Sequence, residues 1–233
     1  MQTASYQARR GQIETYFDRT AADAWARLTS DAPVSGIRAT VRAGRDQMRN
    51  TLLAWLPEDL KGRRILDAGC GTGALATILA QRGAEVVAID VSPALIGIAQ
   101  ERFAAQETAG RVTFQVGDML DSQLGEFDHI VAMDSLIHYQ TDDVVQSLAA
   151  LAPRIRASML ITFAPRTTLL AAMHFVGRAF PRGDRAPAIE PVAEQRLHRK
   201  IAQNTALANW AVGRTQRISR GFYTSQALEL KPR

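Results

Sequence analysis

The sequence has a single cysteine, Cys70, which excludes an internal disulfide and any multi-cysteine metal site. It has no run approaching the ~18 uninterrupted apolar residues of a membrane-spanning helix. The opening MQTASYQARRGQIETYF also lacks the apolar core of a secretory signal, so a cytoplasmic protein is expected. Internal repeats and low-complexity tracts are likewise missing.

What is present suits a globular protein: 233 residues at 46% hydrophobic composition are enough to bury a sizeable core. The net charge of +5 is unevenly spread, because residues 154–220 carry twelve Lys and Arg against Asp184, Glu190 and Glu194, and the remainder is net negative. Such a region suits an anionic ligand, an acidic membrane surface or a polyanion; the alternative is that its arginines solvate exposed helix faces.

Apolar residues at three-four spacing predict one helix through Ile13, Tyr16, Phe17, Ala21, Ala24, Trp25 and Leu28, and a second through Val41, Met48, Leu52, Trp55 and Leu56 after a Pro33–Gly36 break. Strands and helices then alternate. Strands are predicted at 65–68, 85–89, 112–116, 127–133 and 158–163, with helices at 72–81, 93–105 and 141–151, the pattern of a doubly wound parallel sheet. After Pro165 the sequence predicts a helix (PRTTLLAAMHFVGRAF), a proline-rich connector (FPRGDRAPAIEP), a basic helix (VAEQRLHRKIAQN) and a hairpin over 213–230. The economical division is a helical arm or lid over 1–60 and an α/β domain over 61–233 with a basic insertion around 165–210.

The segment ILDAGCGTG, residues 65–73, reads as strand, tight turn and helix start. It has no lysine to reach a triphosphate, which excludes a Walker loop, and its third glycine comes one residue too soon for the dinucleotide fingerprint. Asp67 would repel a pyrophosphate and welcome a cation. Asp90 ends the next strand, 23 residues on, where an acid accepts from ribose hydroxyls. Asp118 ends the third strand and could accept from an adenine amino group, with Met119 against the ring; strand-end aspartates also cap helices. Together the three frame an adenosine with a positive tail.

LDAGCGTG, VVAIDVS and VGDML together resemble the class I S-adenosylmethionine-dependent methyltransferases. That likeness implies a Rossmann-like, mostly parallel seven-strand sheet with helices on both faces. It also implies backbone contact from Gly69, Gly71 and Gly73 to the methionine portion, with Asp90 on the ribose. Tyr16, Asp67, Val91, Asp118, Met119 and Met133 complete the expected cofactor contacts. Over nearly the whole chain, from about Ile13 to Leu230, SGIRATVRAGRDQM, DSLIHYQTDD, ITFAPRT and RISRGFYTSQALEL look like the magnesium-protoporphyrin IX O-methyltransferase family of bacteriochlorophyll biosynthesis. The implied reaction is esterification of one porphyrin propionate, with the N-terminal arm covering the cofactor.

The resemblance makes His138 the catalytic candidate; the structural alternative is that it orients its loop or caps the helix beginning near Thr141. Family members carry a tyrosine in W-x-R-I-Y, whereas WARLTSD places Thr29 there. Arg38, Arg42, Tyr139 and Arg166 are the expected substrate contacts, with Arg45, Arg178 and Arg182 as further candidates for the second propionate. His174 on an apolar helix reads as core, and methyl transfer requires no protein-bound metal. The porphyrin-carrying subunit of magnesium chelatase and a peripheral membrane contact are implied by the pathway alone. Other readings are methylation of a different small acid, phenol or quinone precursor, or a non-catalytic porphyrin carrier. Nucleic acid is not an expected partner, because DSLIHY stands where base-modifying enzymes carry an Asn/Asp-Pro-Pro-aromatic loop.

Overall fold

The computed structural model describes residues 2–30, 32–166 and 188–233. Seven strands form one sheet: β1 (Arg64–Ala68), β2 (Glu85–Asp90), β3 (Arg111–Val116), β4 (Phe127–Ala132), β5 (Ile155–Phe163), β6 (Trp210–Arg220) and β7 (Tyr223–Pro232). Their order is β3-β2-β1-β4-β5-β7-β6, parallel up to β5, with β7 inserted antiparallel between β5 and β6. The expected strands are all present, and β1, β3 and β5 begin earlier in the molecule than in the sequence reading. The order in which strands are added reverses at β1, which pairs parallel with both β2 and β4, and ligands of open α/β sheets bind where the strands flanking such a reversal end.

The central strands are apolar on both faces because helices cover both. Ile65 and Leu66, Ile130 and Val131, and Met159, Leu160 and Ile161 are all fully buried. The helices α4 (Ala74–Gln81), α5 (Pro93–Ala104) and α6 (Thr141–Leu151) follow β1, β2 and β4. Ser92 caps α5 by accepting from Leu95 N, and Pro93 presets its first turn. Asp142 and Asp143 lie in the first turn of α6, where the helix dipole favours carboxylates.

At the N-terminal end the structure departs from the predicted single helix. It places α1 (Ala4–Tyr16), then a π-helical turn at Phe17–Ala21, then α2 (Ala22–Leu28). Tertiary contacts account for the widened turn: Asp18 Oδ1 accepts from Ala94 N at the start of α5, and the Phe17 ring packs edge-on against Trp25. The following helix, α3 (Gly36–Ala54), begins after the expected break and lies on β6 and β7. Its Gly44 faces the Tyr223 ring so closely that a Cβ there would come within 2.5–2.8 Å of three ring and side-chain carbons.

The basic helix α7 (Glu194–Gln203) turns Leu197 and Ile201 into the core and leaves Arg196 and Arg199 exposed. The helix predicted after Pro165, with His174 and Arg178, and Arg182 of the connector lie outside the described residues. No helix among the described residues is long and apolar enough to cross a membrane.

Candidate active site

The glycine loop is shaped by its backbone. Gly69, Gly71 and Gly73 all have positive φ (79°, 54° and 79°), a region open to glycine at no steric cost. Gly69 N and Cys70 N donate to Ile89 O at 2.8 and 3.0 Å, binding the loop to the end of β2. Gly71 N donates to Asp90 Oδ2 at 2.9 Å and Ser92 N to Oδ1 at 3.0 Å, which fixes the carboxylate at the reversal point.

Asp67 is 2% exposed at the end of β1. Burial, and then the charge of Asp90, push its carboxyl up to about 7, partly offset by the Ala76 amide. Burial also raises Asp90, against the lowering effect of amides from Ser92, Gly71 and Val91. A cation bound between the two would favour both ionised forms. Cys70, beside them, has its thiol driven up by burial and by both carboxylates, so it is an inert filler.

One cavity gathers Asp67, Gly69, Gly71, Asp90, Val91, Met119, Met133, His138 and Tyr139, nine of the expected site residues, with Arg42 and Arg45 at its α3 side. Its cover is the arm. Trp25 Nε1 would lie 3.2 Å from a Cβ on Gly71, so the indole sits directly on the loop. Thr72 Oγ1 donates to Thr29 Oγ1 at 2.8 Å, and Arg102 Nη1 donates to the same oxygen at 3.0 Å. Thr29, at the C-terminal end of α2, thus ties that helix to the glycine loop.

His138, 9% exposed, ends a 3-10 turn at Leu136–His138. Its Nδ1 lies 3.3 Å from Ala188 O, an acceptor, so Nδ1 carries the proton. The segment supplying that carbonyl is pinned to the same turn by Glu190 N donating to Ile137 O, and to α1 by the Arg9–Glu190 ion pair.

Several expected contacts are placed elsewhere. Tyr16, the last residue of α1, does not line the cavity; its ring stands edge-on to Phe17 at the start of the π turn. Asp118 is also off the lining, its carboxylate taken by Tyr6 Oη at 2.9 Å, Gln2 Nε2 at 3.1 Å and Arg10 Nε at 3.5 Å. Gly73 lies behind the loop, against Ala99 and Phe114. Arg38 and Arg166 are exposed and do not border the cavity.

Arg42 borders it while donating to Leu28 O, Arg27 O and Ala32 O, closing the end of α2. Sequence reasoning missed Tyr6, which lines the cavity and stacks on Tyr139 with ring centroids 4.8 Å apart. It also missed Ser135, Arg49 and the packing of Trp25 on Gly71, whose only sequence signal was membership of an apolar helical stripe.

A mixed seven-strand sheet of this order, with a glycine loop and two buried carboxylates at the reversal point, defines a class I methyltransferase fold. A methyltransferase-domain model matches residues 65–157, and a model described as the magnesium-protoporphyrin IX methyltransferase C-terminus matches residues 132–232. The chain is 46% identical to magnesium-protoporphyrin O-methyltransferase of Rhodobacter capsulatus, over 98% of this chain and 99% of the relative. It is 32% identical to the Synechocystis protein of that name, over 93% and 94% respectively. A crystal structure of the Synechocystis magnesium protoporphyrin IX methyltransferase with bound SAH superposes with a TM-score of 0.82 at 29% identity, covering 96% of this chain and 99% of that one. The chain belongs to the magnesium-protoporphyrin O-methyltransferase family.

Proposed function

We propose that this protein esterifies one propionate of magnesium-protoporphyrin IX with the methyl group of S-adenosylmethionine, giving the monomethyl ester in bacteriochlorophyll biosynthesis. The observation that carries this reading is one cavity joining the cation-favouring pair Asp67 and Asp90 to His138 on the loop after β4. The donor fits the residues present: the buried Asp67 Oδ2 has no hydrogen-bond partner among the described residues, and the Asp90 oxygens keep lone pairs for ribose hydroxyls. S-adenosylmethionine, when bound, supplies an electrophilic sulfonium methyl that an oxygen nucleophile displaces in line.

The remaining work falls to the chain. A carboxylic acid of ordinary pKa, ~4.3, is already ionised at neutral pH, so alignment and exclusion of water matter more than a strong base. Trp25, Phe17 and Tyr6 provide an apolar cover. With Nδ1–H directed at Ala188 O, His138 donates to a carboxylate from Nε2 only as an imidazolium. An imidazolium at His138 then pairs through Nε2 with the ionised propionate. His138 therefore holds the reacting carboxylate.

Arg45 is neutralised by Asp134, whereas Arg42 spends its bonds on neutral carbonyls and has no carboxylate partner among the described residues. Arg42 is thus the cation for the second propionate. In this reading the helical arm over 1–60 supplies the lid, and the exposed charge of α7 faces an acidic partner. The deciding assay offers labelled S-adenosylmethionine with magnesium-protoporphyrin IX, its metal-free form and its dimethyl ester. Turnover of the free acids but not of the diester supports carboxylate esterification; donor binding without turnover leaves a porphyrin carrier.

A further inference from the structure

The segment 188–192 meets the rest of the molecule through alternate residues. Val192 is buried and locked beside the end of β5: its amide donates to Ala164 O at 2.8 Å, and its carbonyl accepts from Arg166 N at 2.9 Å. Two residues earlier, Glu190 N donates to Ile137 O at 2.8 Å, and two residues before that, Ala188 O lies 3.3 Å from His138 Nδ1. Pro191, which has no amide to donate, falls between the inward-facing positions, where none is needed. It also confines Glu190 to extended backbone, so a shift at the Glu190 side chain reaches Ala188 with little slack.

The N-terminal arm touches this assembly from the other side. Tyr6 stacks on Tyr139, and the Phe17 ring stands edge-on to the His138 ring with centroids 6.5 Å apart. Neither contact fixes which imidazole nitrogen faces the cavity. The charged link from α1 to the segment is Arg9 Nη2 on Glu190 Oε1 at 2.9 Å, with both side chains largely withdrawn from water. An imidazole tied to a carbonyl through Nδ1–H presents Nε2 in one tautomer and one orientation, whereas an untied ring turns about χ2 and exchanges tautomers.

We propose that Glu190 is a positioning residue: held by Arg9, it keeps the Ala188 carbonyl on His138 Nδ1, so that docking of α1 and presentation of Nε2 to the propionate are one event. This rests on the reading of His138 as the group that holds the reacting carboxylate. Glu190 itself touches neither substrate nor donor. It acts through two residues of backbone, and Arg9 acts through Glu190.

The test pairs nitrogen-15 NMR of the full chain, at a pH where His138 is neutral, with steady-state kinetics on magnesium-protoporphyrin IX. The unaltered protein should carry the His138 proton on Nδ1. Glu190→Ala and Arg9→Ala should each reduce the Nδ1–H share and lower kcat about threefold to tenfold, with S-adenosylhomocysteine affinity within about twofold. The double variant should lose no more than either single one, because both changes break the same link. A proton on Nε2 in the unaltered protein, an unchanged tautomer in both single variants, or additive losses in the double variant overturns the assignment. Should Glu190→Ala fail to fold, Arg9→Ala puts the same question from the α1 side. Failure of the unaltered protein to methylate the porphyrin, with the tautomer still responding to Arg9→Ala, sinks the acceptor reading and leaves Glu190 as the residue that sets the ring.

Discussion

Arg45 reaches from α3 to Asp134 at 2.6 Å while its guanidinium carbon lies 4.5 Å from the centre of the Trp25 ring, so a single side chain joins the loop after β4 to the cover of the glycine loop. Asp134 has φ of 55°, a conformation uncommon outside glycine, and is held there by Thr162, Ser225 and Tyr223 as well as Arg45. Both side chains are largely buried. Arg45→Met should cost about 3 kcal/mol in chemical denaturation, because it leaves a buried carboxylate without its cation. Asp134→Asn should cost less than Asp134→Ala, since Asn keeps acceptor capacity and tolerates the left-handed backbone.

Donor binding should depend on Asp67. With its carboxyl at about 7 in the unliganded protein, a cationic donor gains affinity as pH rises from 6 to 8, and Asp67→Asn should flatten that profile. The same shift acts oppositely on stability. Raised from 3.8, Asp67 binds a proton in the folded protein that the unfolded chain has already lost, so its contribution is full below about 4 and lost as pH rises through about 7. Replacement by Asn should remove that decline from a denaturation series.

Asp90 and His138 should separate kinetically. Asp90→Ala removes the carboxylate bonded to Gly71 and Ser92 and should raise the donor dissociation constant at least tenfold. His138→Phe should lower kcat by roughly tenfold to a hundredfold with donor affinity nearly unchanged. Matching losses of donor affinity in the two variants would remove His138 from the role given to it.

Two glycines of α3 should respond differently to alanine. Gly44→Ala drives a Cβ into Tyr223 and should cost about 1–3 kcal/mol, read as a lowered Tm. Gly36→Ala meets nothing within 4 Å and should be neutral or slightly stabilising.

Thr29→Val removes the hydroxyl shared by Thr72 and Arg102 while keeping its volume. A rise in donor dissociation constant of about threefold to tenfold, with little change in Tm, is expected if this contact holds the cover shut.

The parallel sheet, the glycine loop and the carboxylates of Asp67 and Asp90 were legible in the sequence because each depends on local pattern: an apolar run, a turn that needs glycine, an acid at a strand end. His138 was legible through resemblance and its position after β4. The broken first helix, the diversion of Asp118 to Tyr6, and the burial of Ser135 Oγ and Arg49 Nε were not. Each arises where residues far apart in the chain meet, as when α1 meets the end of β3 or α3 meets the loop after β4. Local propensity determined which elements form and where the loop lies; long-range packing and the desolvation it imposes decided which side chains face the cavity and which are spent holding it closed.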